Sequence, residues 1–97
     1  MLKLLFAALA AAMMASSPAV AGEAAKLKGK NAYFSDGGIA EYHNDGSYRY
    51  GRWIGTYKIT GNRVCVKFKR GGSRCDTILP GNRLRNAQGM IFTFTLR

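Results

Sequence analysis

The chain is 97 residues long and carries 15 Lys and Arg against 5 Asp and Glu, a formal net charge of +10 with a single histidine. That length holds one domain with a thin core and excludes several domains on one chain. Two cysteines and one histidine argue against the paired ligand sets of structural zinc sites, while the charge favours anionic partners without choosing among them.

Residues 1–21 have the form of a cleavable secretory signal peptide. Lys3 supplies the positive start, an apolar run covers 4–14, and Ser16, Ser17 and Pro18 lead into Ala19-Val20-Ala21, the small residues that a signal peptidase accepts. The run falls short of the roughly 20 residues that a membrane-spanning helix needs. No cysteine adjoins the cleavage site, so the expected product is a periplasmic or extracellular protein with neither a transmembrane segment nor a lipid anchor. Residues 22–30 (GEAAKLKGK) hold few large apolar groups and three lysines, which predicts a flexible basic lead-in.

Residues 31–97 then read as a single β domain. Glycine-containing turns recur at Asp36-Gly37-Gly38, Asn44-Asp45-Gly46, Thr60-Gly61-Asn62, Arg70-Gly71-Gly72, Pro80-Gly81-Asn82 and Ala87-Gln88-Gly89. The runs between them are rich in Tyr, Ile, Val, Phe and Thr and predict strands at 32–34, 39–43, 47–50, 53–59, 63–69, 73–79, 83–86 and 90–96. No window carries a helical period. The fold class is therefore all-β, a small antiparallel meander forming a curled sheet or a small barrel. At the C-terminus, strict alternation assigns Met90, Phe92, Phe94 and Leu96 to the core and Ile91, Thr93, Thr95 and Arg97 to the other face.

Cys65 and Cys75 are expected to pair, since two cysteines in a small exported domain meet an oxidising environment. Pairing them sets Phe68 opposite Gly72 and leaves Lys69-Arg70-Gly71 as a three-residue loop, which wants a residue of positive φ in its third position; Gly71 supplies it. The same register turns Arg74 and Asp76 toward the face that carries Val64 and Val66. That conflict predicts a sheet edge or a partly wet face.

The densest chemical feature is the stretch 48–58, where aromatic rings alternate with cations. Tyr48, Arg49, Tyr50, Arg52, Trp53 and Tyr57, joined by Lys69, Arg70 and Arg74 of the disulfide hairpin, form the candidate ligand-binding surface. Rings inside a basic groove stack on bases or sugars while the cations follow the negative charges. The same tyrosines and Trp53 also suit a core short of aliphatic residues, with their polar tips at the rim. Lys67, Arg83, Arg85 and Arg97 extend the basic surface.

For catalysis the pattern offers Glu41 and His43, which share one side of a strand and resemble the acid and base of a small secreted ribonuclease when an arginine lies nearby. No serine sits in a nucleophile motif, no phosphate loop occurs, and neither a metal nor a cofactor is implied.

The order Asp45-Gly46-Ser47-Tyr48, Gly55-Thr56-Tyr57-Lys58-Ile59, Gly61-Asn62-Arg63-Val64-Cys65 and then Cys75 resembles small exported proteins of Gram-negative bacteria assigned to domains of unknown function. The likeness spans residues 39–78. It implies a compact periplasmic β domain and transfers no catalytic or ligand residue. Leader, disulfide and charge together predict a non-enzymatic binding or accessory protein for an anionic envelope component: a glycan, a lipid head group or an acidic protein. The alternative is a small secreted nuclease, for which Glu41 and His43 carry no spacing signature, or a nucleic-acid-binding protein without catalysis, which export away from most nucleic acid disfavours.

Overall fold

A computed structural model describes residues 22–97; the signal peptide read at 1–21 lies outside the described residues. Eight strands follow one another: β1 Lys30–Phe34, β2 Ile39–Tyr42, β3 Ser47–Tyr50, β4 Trp53–Thr60, β5 Arg63–Phe68, β6 Ser73–Leu79, β7 Arg83–Arg85 and β8 Ile91–Leu96. All eight coincide with predicted runs. Each strand pairs antiparallel with the next, and β1 pairs with β8 through Ala32↔Leu96, Tyr33↔Thr95 and Phe34↔Phe94, which closes the sheet into a barrel. Closure leaves no sheet edge unpaired, so the edge considered for the disulfide hairpin does not exist.

Period-two alternation decides which side chains fill the barrel. Ala32, Ala40, Tyr42, Tyr48, Tyr57, Val64, Val66, Ile78, Leu84 and Phe94 are buried inside it. Lys58, Arg63, Lys67, Arg83 and Arg85 are exposed on the outer wall. That is the inverse of a membrane-spanning barrel, whose outer band is apolar. Cys65 and Cys75 face each other across β5 and β6 and are joined by the disulfide. The Phe68 N–H donates to the Gly72 carbonyl and the Gly71 N–H to the Phe68 carbonyl, each at 3.0 Å, with Gly71 at φ 114° as its loop position requires.

The two ends of the barrel differ. A 3-10 helix, Glu23–Leu27, precedes β1 and packs against β1, β4, β5 and β6 at the end where the β2–β3, β4–β5 and β6–β7 turns lie. Ala24 and Leu27, three positions apart and so on one face of that helix, are fully buried and plug the opening. Residues 22–30 are thus not the flexible lead-in expected from their composition. One leucine and one alanine at the right spacing suffice to cap so narrow a barrel, and an average over nine residues conceals them. The opposite end, where the β1–β2, β3–β4, β5–β6 and β7–β8 turns lie, receives no such segment among the described residues.

Met90 also departs from expectation, being 57 % exposed. The Asn86 side chain accepts hydrogen bonds from the Gln88 and Met90 N–H groups, so the turn consumes Met90 and β8 begins only at Ile91. The remaining alternation holds, with Phe94 buried and Phe92 and Leu96 half-buried.

Candidate functional site

Two of the four hairpins at the open end, β3–β4 and β5–β6, build the candidate site. A two-residue turn, Gly51-Arg52, joins β3 to β4 and sets Tyr50 opposite Trp53. On β5 the apolar row Val64, Val66, Phe68 ends with Phe68 at the rim, because the hairpin turns immediately afterwards. On β6 the inward row reads Arg74, Asp76, Ile78, as the pairs Val66↔Arg74 and Val64↔Asp76 require. The sequence conflict over Arg74 and Asp76 is therefore resolved by turning both to the inner face, with Asp76 buried and Arg74 45 % exposed at the wet mouth of the barrel.

Tyr48, Tyr50, Trp53, Phe68 and Arg74 line an open cavity of about 360 Å³. Its rings meet edge to face: Trp53 and Phe68 are 5.7 Å apart between centroids, and Tyr48 and Phe68 6.2 Å. Trp53 is 46 % exposed, so an apolar ligand that covers it removes water from a large ring. Arg74 forms the floor. Its Nε donates to Asp76 Oδ2 at 3.0 Å, its Nη2 to the Tyr48 hydroxyl at 3.3 Å, and the guanidinium lies 6.0 Å from the Phe68 centroid.

A second cavity of about 170 Å³ adjoins the first, sharing Tyr50 and Arg74 and lined further by Phe34, Phe92, Asp36 and Asp76. Tyr50 stands between the two. Its hydroxyl rests against the β1–β2 turn at Gly38, where any Cβ would fall on that oxygen. Gly38 thus fixes the position of the ring that divides the mouth.

Burial shapes the titration of this cluster. Asp76 is only 2 % exposed, and burial raises its pKa above the usual carboxylate value despite the opposing pull of Arg74. Burial pulls the Arg74 guanidinium down, but Tyr48 and Asp76 outweigh that effect and leave it above its ordinary value. Tyr48 is pushed up to about 12, and Tyr42 beneath it is pushed well above the phenol range, burial being the main cause for both. The floor thus holds Arg74 bonded to Asp76 between phenols that are un-ionised at neutral pH, a polar anchor in an otherwise aromatic cup.

Of the residues singled out in the sequence, Tyr48, Tyr50, Trp53 and Arg74 converge on this cavity. Arg52, Lys69 and Arg70 occupy the turns of the same end, exposed and without an ion pair among the described residues. Arg49 points outward beside Glu41 and Ile54. Tyr57 does not belong to the surface: it is buried, and its hydroxyl donates to the His43 carbonyl at 2.7 Å toward the plugged end. Two strand positions separate Gly55, level with Phe68, from Tyr57, level with Val66, and that shift down the barrel takes the ring into the core. Phe68 and Asp76 belong to the site but were not singled out. Alternation along β5 and β6 already placed both on the inner face; what was lacking was any reason to treat that face as open at one end.

Glu41 of β2 and His43, the residue that follows the strand, are bonded to each other at 3.1 Å on the outer wall, away from the aromatic cup. Arg49 stands opposite Glu41 across β2 and β3, so the three groups lie together on that wall, outside the cavity lined by Trp53. Among the described residues no three His, Cys, Asp or Glu side chains gather into a metal site. Nor does any helix there have the length and apolarity to cross a membrane. Compared with protein-family models, curated proteins and solved structures, the chain matches none.

Proposed function

We propose that this chain is an exported, non-enzymatic binding protein whose ligand site is the open end of the barrel, and that its ligand is an anionic component of the cell envelope. The observation that carries this reading is the convergence of Tyr48, Tyr50, Trp53, Phe68 and Arg74 on one open cavity, with Arg52, Lys69 and Arg70 on the surrounding turns. The division of labour follows from the geometry. Rim cations attract and orient a negatively charged ligand over several ångströms of solvent. The rings then take its apolar or sugar face, and Arg74, held by Asp76, offers the hydrogen-bond donors of its guanidinium at the base of the cup. Export rests on the leader read at 1–21, and the Cys65–Cys75 disulfide fits the oxidising compartment to which that leader directs the chain.

The test uses Trp53 as reporter, since it is the only tryptophan and lines the cavity. The mature, oxidised protein is titrated with soluble anionic oligosaccharides, with their uncharged counterparts and with single-stranded DNA, at roughly 20 and 300 mM salt. A saturable change in Trp53 emission with the anionic oligosaccharide, weakened by salt and reduced about tenfold or more in Arg52→Gln/Lys69→Gln/Arg70→Gln, supports the reading. No saturable change with any anionic ligand at low salt, or an affinity indifferent to both salt and the triple substitution, overturns it. Stronger binding to single-stranded DNA would transfer the same surface to nucleic acid.

A further inference from the structure

The large apolar side chains that remain exposed are Ile39, Trp53, Ile54, Met90 and Ile91. They are scattered along the sequence but not over the molecule. Ile39 is the first residue of β2, Trp53 and Ile54 open β4, and Met90 and Ile91 stand where β8 begins. Each of those strand starts abuts the unplugged end, so all five stand on one arc of the mouth, the side running from β8 through β1, β2 and β3 to β4. The plugged end and the middle of the outer wall present no large exposed apolar side chain among the described residues.

Cations lie directly behind this apolar arc. Arg49 faces Ile54 across the β3–β4 hairpin, and Arg85 faces Ile91 across β7–β8. Arg52, Lys69 and Arg70 stand in the turns, and Lys67 lies one residue pair below the mouth. The one acid in the turns of this end is Asp36, whose Oδ1 is engaged by the Gly38 N–H. Glu41 stands opposite Arg49 on the wall behind the rim, and Lys and Arg outnumber the acids there; an apolar rim that includes a tryptophan, backed by an excess of cations, has the composition of an interfacial membrane-binding surface.

We infer that the open end of the barrel docks face-down on an anionic lipid bilayer, with Ile39, Trp53, Ile54, Met90 and Ile91 entering the headgroup region and the cations behind them meeting lipid phosphates. This inference rests on the binding reading above and narrows its ligand to one carried by a membrane. Charge complementarity selects the bilayer. The apolar residues are spread along the rim from β8 to β4 and interrupted by turns instead of forming one flat patch, so a planar, deformable, negatively charged surface engages all of them at once, and each cation gains attraction close to that surface. Docked in this way, the cup opens onto the lipid headgroups, and a ligand reaches Arg74 without crossing bulk water.

Co-sedimentation with vesicles tests the inference. One set contains equimolar phosphatidylglycerol and phosphatidylcholine, the other phosphatidylcholine alone, and Trp53 emission is followed in both together with quenching by bromine-labelled acyl chains. The expected result is retention on the anionic vesicles at low salt, a blue-shifted and quenched Trp53, and at least about tenfold weaker partitioning of Met90→Ser/Ile91→Ser, which removes two buried apolar contacts on the side of the rim formed by β8. Both positions are more than half exposed or at that limit, so the substitutions leave the core intact. The double variant should still bind a soluble anionic oligosaccharide like the parent, because neither residue lines the aromatic cavity. Absence of retention on anionic vesicles, retention without quenching, or unchanged partitioning of the double variant overturns the inference. If vesicles fail while the soluble oligosaccharide still perturbs Trp53, the lipid docking falls and the binding site stands; if both fail, the binding reading falls as well.

Discussion

Removing Arg74 should expose how the barrel tolerates a carboxylate at its centre. In Arg74→Met the aliphatic volume is kept and the charge is lost, leaving Asp76, 2 % exposed, without the group that counters its desolvation. Stranding one member of a buried pair costs several kcal/mol; Arg74 is itself 45 % exposed, which screens the pair, so a loss of about 2–3 kcal/mol at pH 7 is expected. The loss must depend on pH. Because the folded-state pKa of Asp76 lies above its ordinary value of 3.8, the native state binds the proton more tightly than the unfolded chain does. That contribution is complete below the unfolded value and fades as pH rises through the folded one. Without Arg74 the folded value climbs further, so the penalty should shrink to under about 1 kcal/mol near pH 4, where Asp76 enters the barrel protonated. The reverse substitution, Asp76→Asn, should cost less at neutral pH, about 1–2 kcal/mol, because Arg74 can turn toward solvent whereas Asp76 cannot. Urea titrations at the two pH values, followed by Trp53 emission, measure all three quantities. An Arg74→Met penalty that does not change with pH, or an Asp76→Asn penalty larger than that of Arg74→Met at pH 7, would refute the argument.

Gly55→Ala should destabilise the barrel by about 1–3 kcal/mol in the same assay, since the new Cβ would meet the Lys67 carbonyl oxygen and Phe68 Cα, backbone atoms that move only with β5. Leu27→Ala, which empties the plug, should cost about 2–5 kcal/mol; a negligible change would show that the 3-10 helix contributes little to closing the barrel. Opening the disulfide with Cys65→Ala/Cys75→Ala frees a short loop in the unfolded chain and should lower stability by about 2–3 kcal/mol, visible as a reduced denaturation midpoint that added reductant does not lower further. In an alkaline absorbance titration, Tyr42, Tyr48 and Tyr57 should ionise late, because burial raises all three; stability should therefore fall as pH climbs from the ordinary phenol value of 10.0 through the value of about 12 at Tyr48, so ionisation should coincide with unfolding seen by circular dichroism.

The sequence by itself determined the strands, the turns, the disulfide and the face on which each strand residue lies. These are local properties: side chains alternate at every second residue, glycine permits positive φ at Gly71, and Cys65 must stand opposite Cys75. The same local rules placed Arg74 and Asp76 on the inner face, although a sequence offers no means of seeing that Tyr48 and Tyr42 would enclose them. Alternation fixes the side of the sheet and says nothing about height along the barrel. Tyr48, Tyr50, Trp53 and Tyr57 all point inward, yet the first three reach the cup and Tyr57 does not, because height depends on the stagger accumulated over eight pairings and on the closure of β1 with β8 across the length of the domain. The distinction between a plugged end and an open one likewise belongs to the tertiary structure. It arises when Ala24 and Leu27 fold back under β1, turning an apolar-poor segment into a stopper and leaving the opposite rim, with its rings and cations, facing solvent.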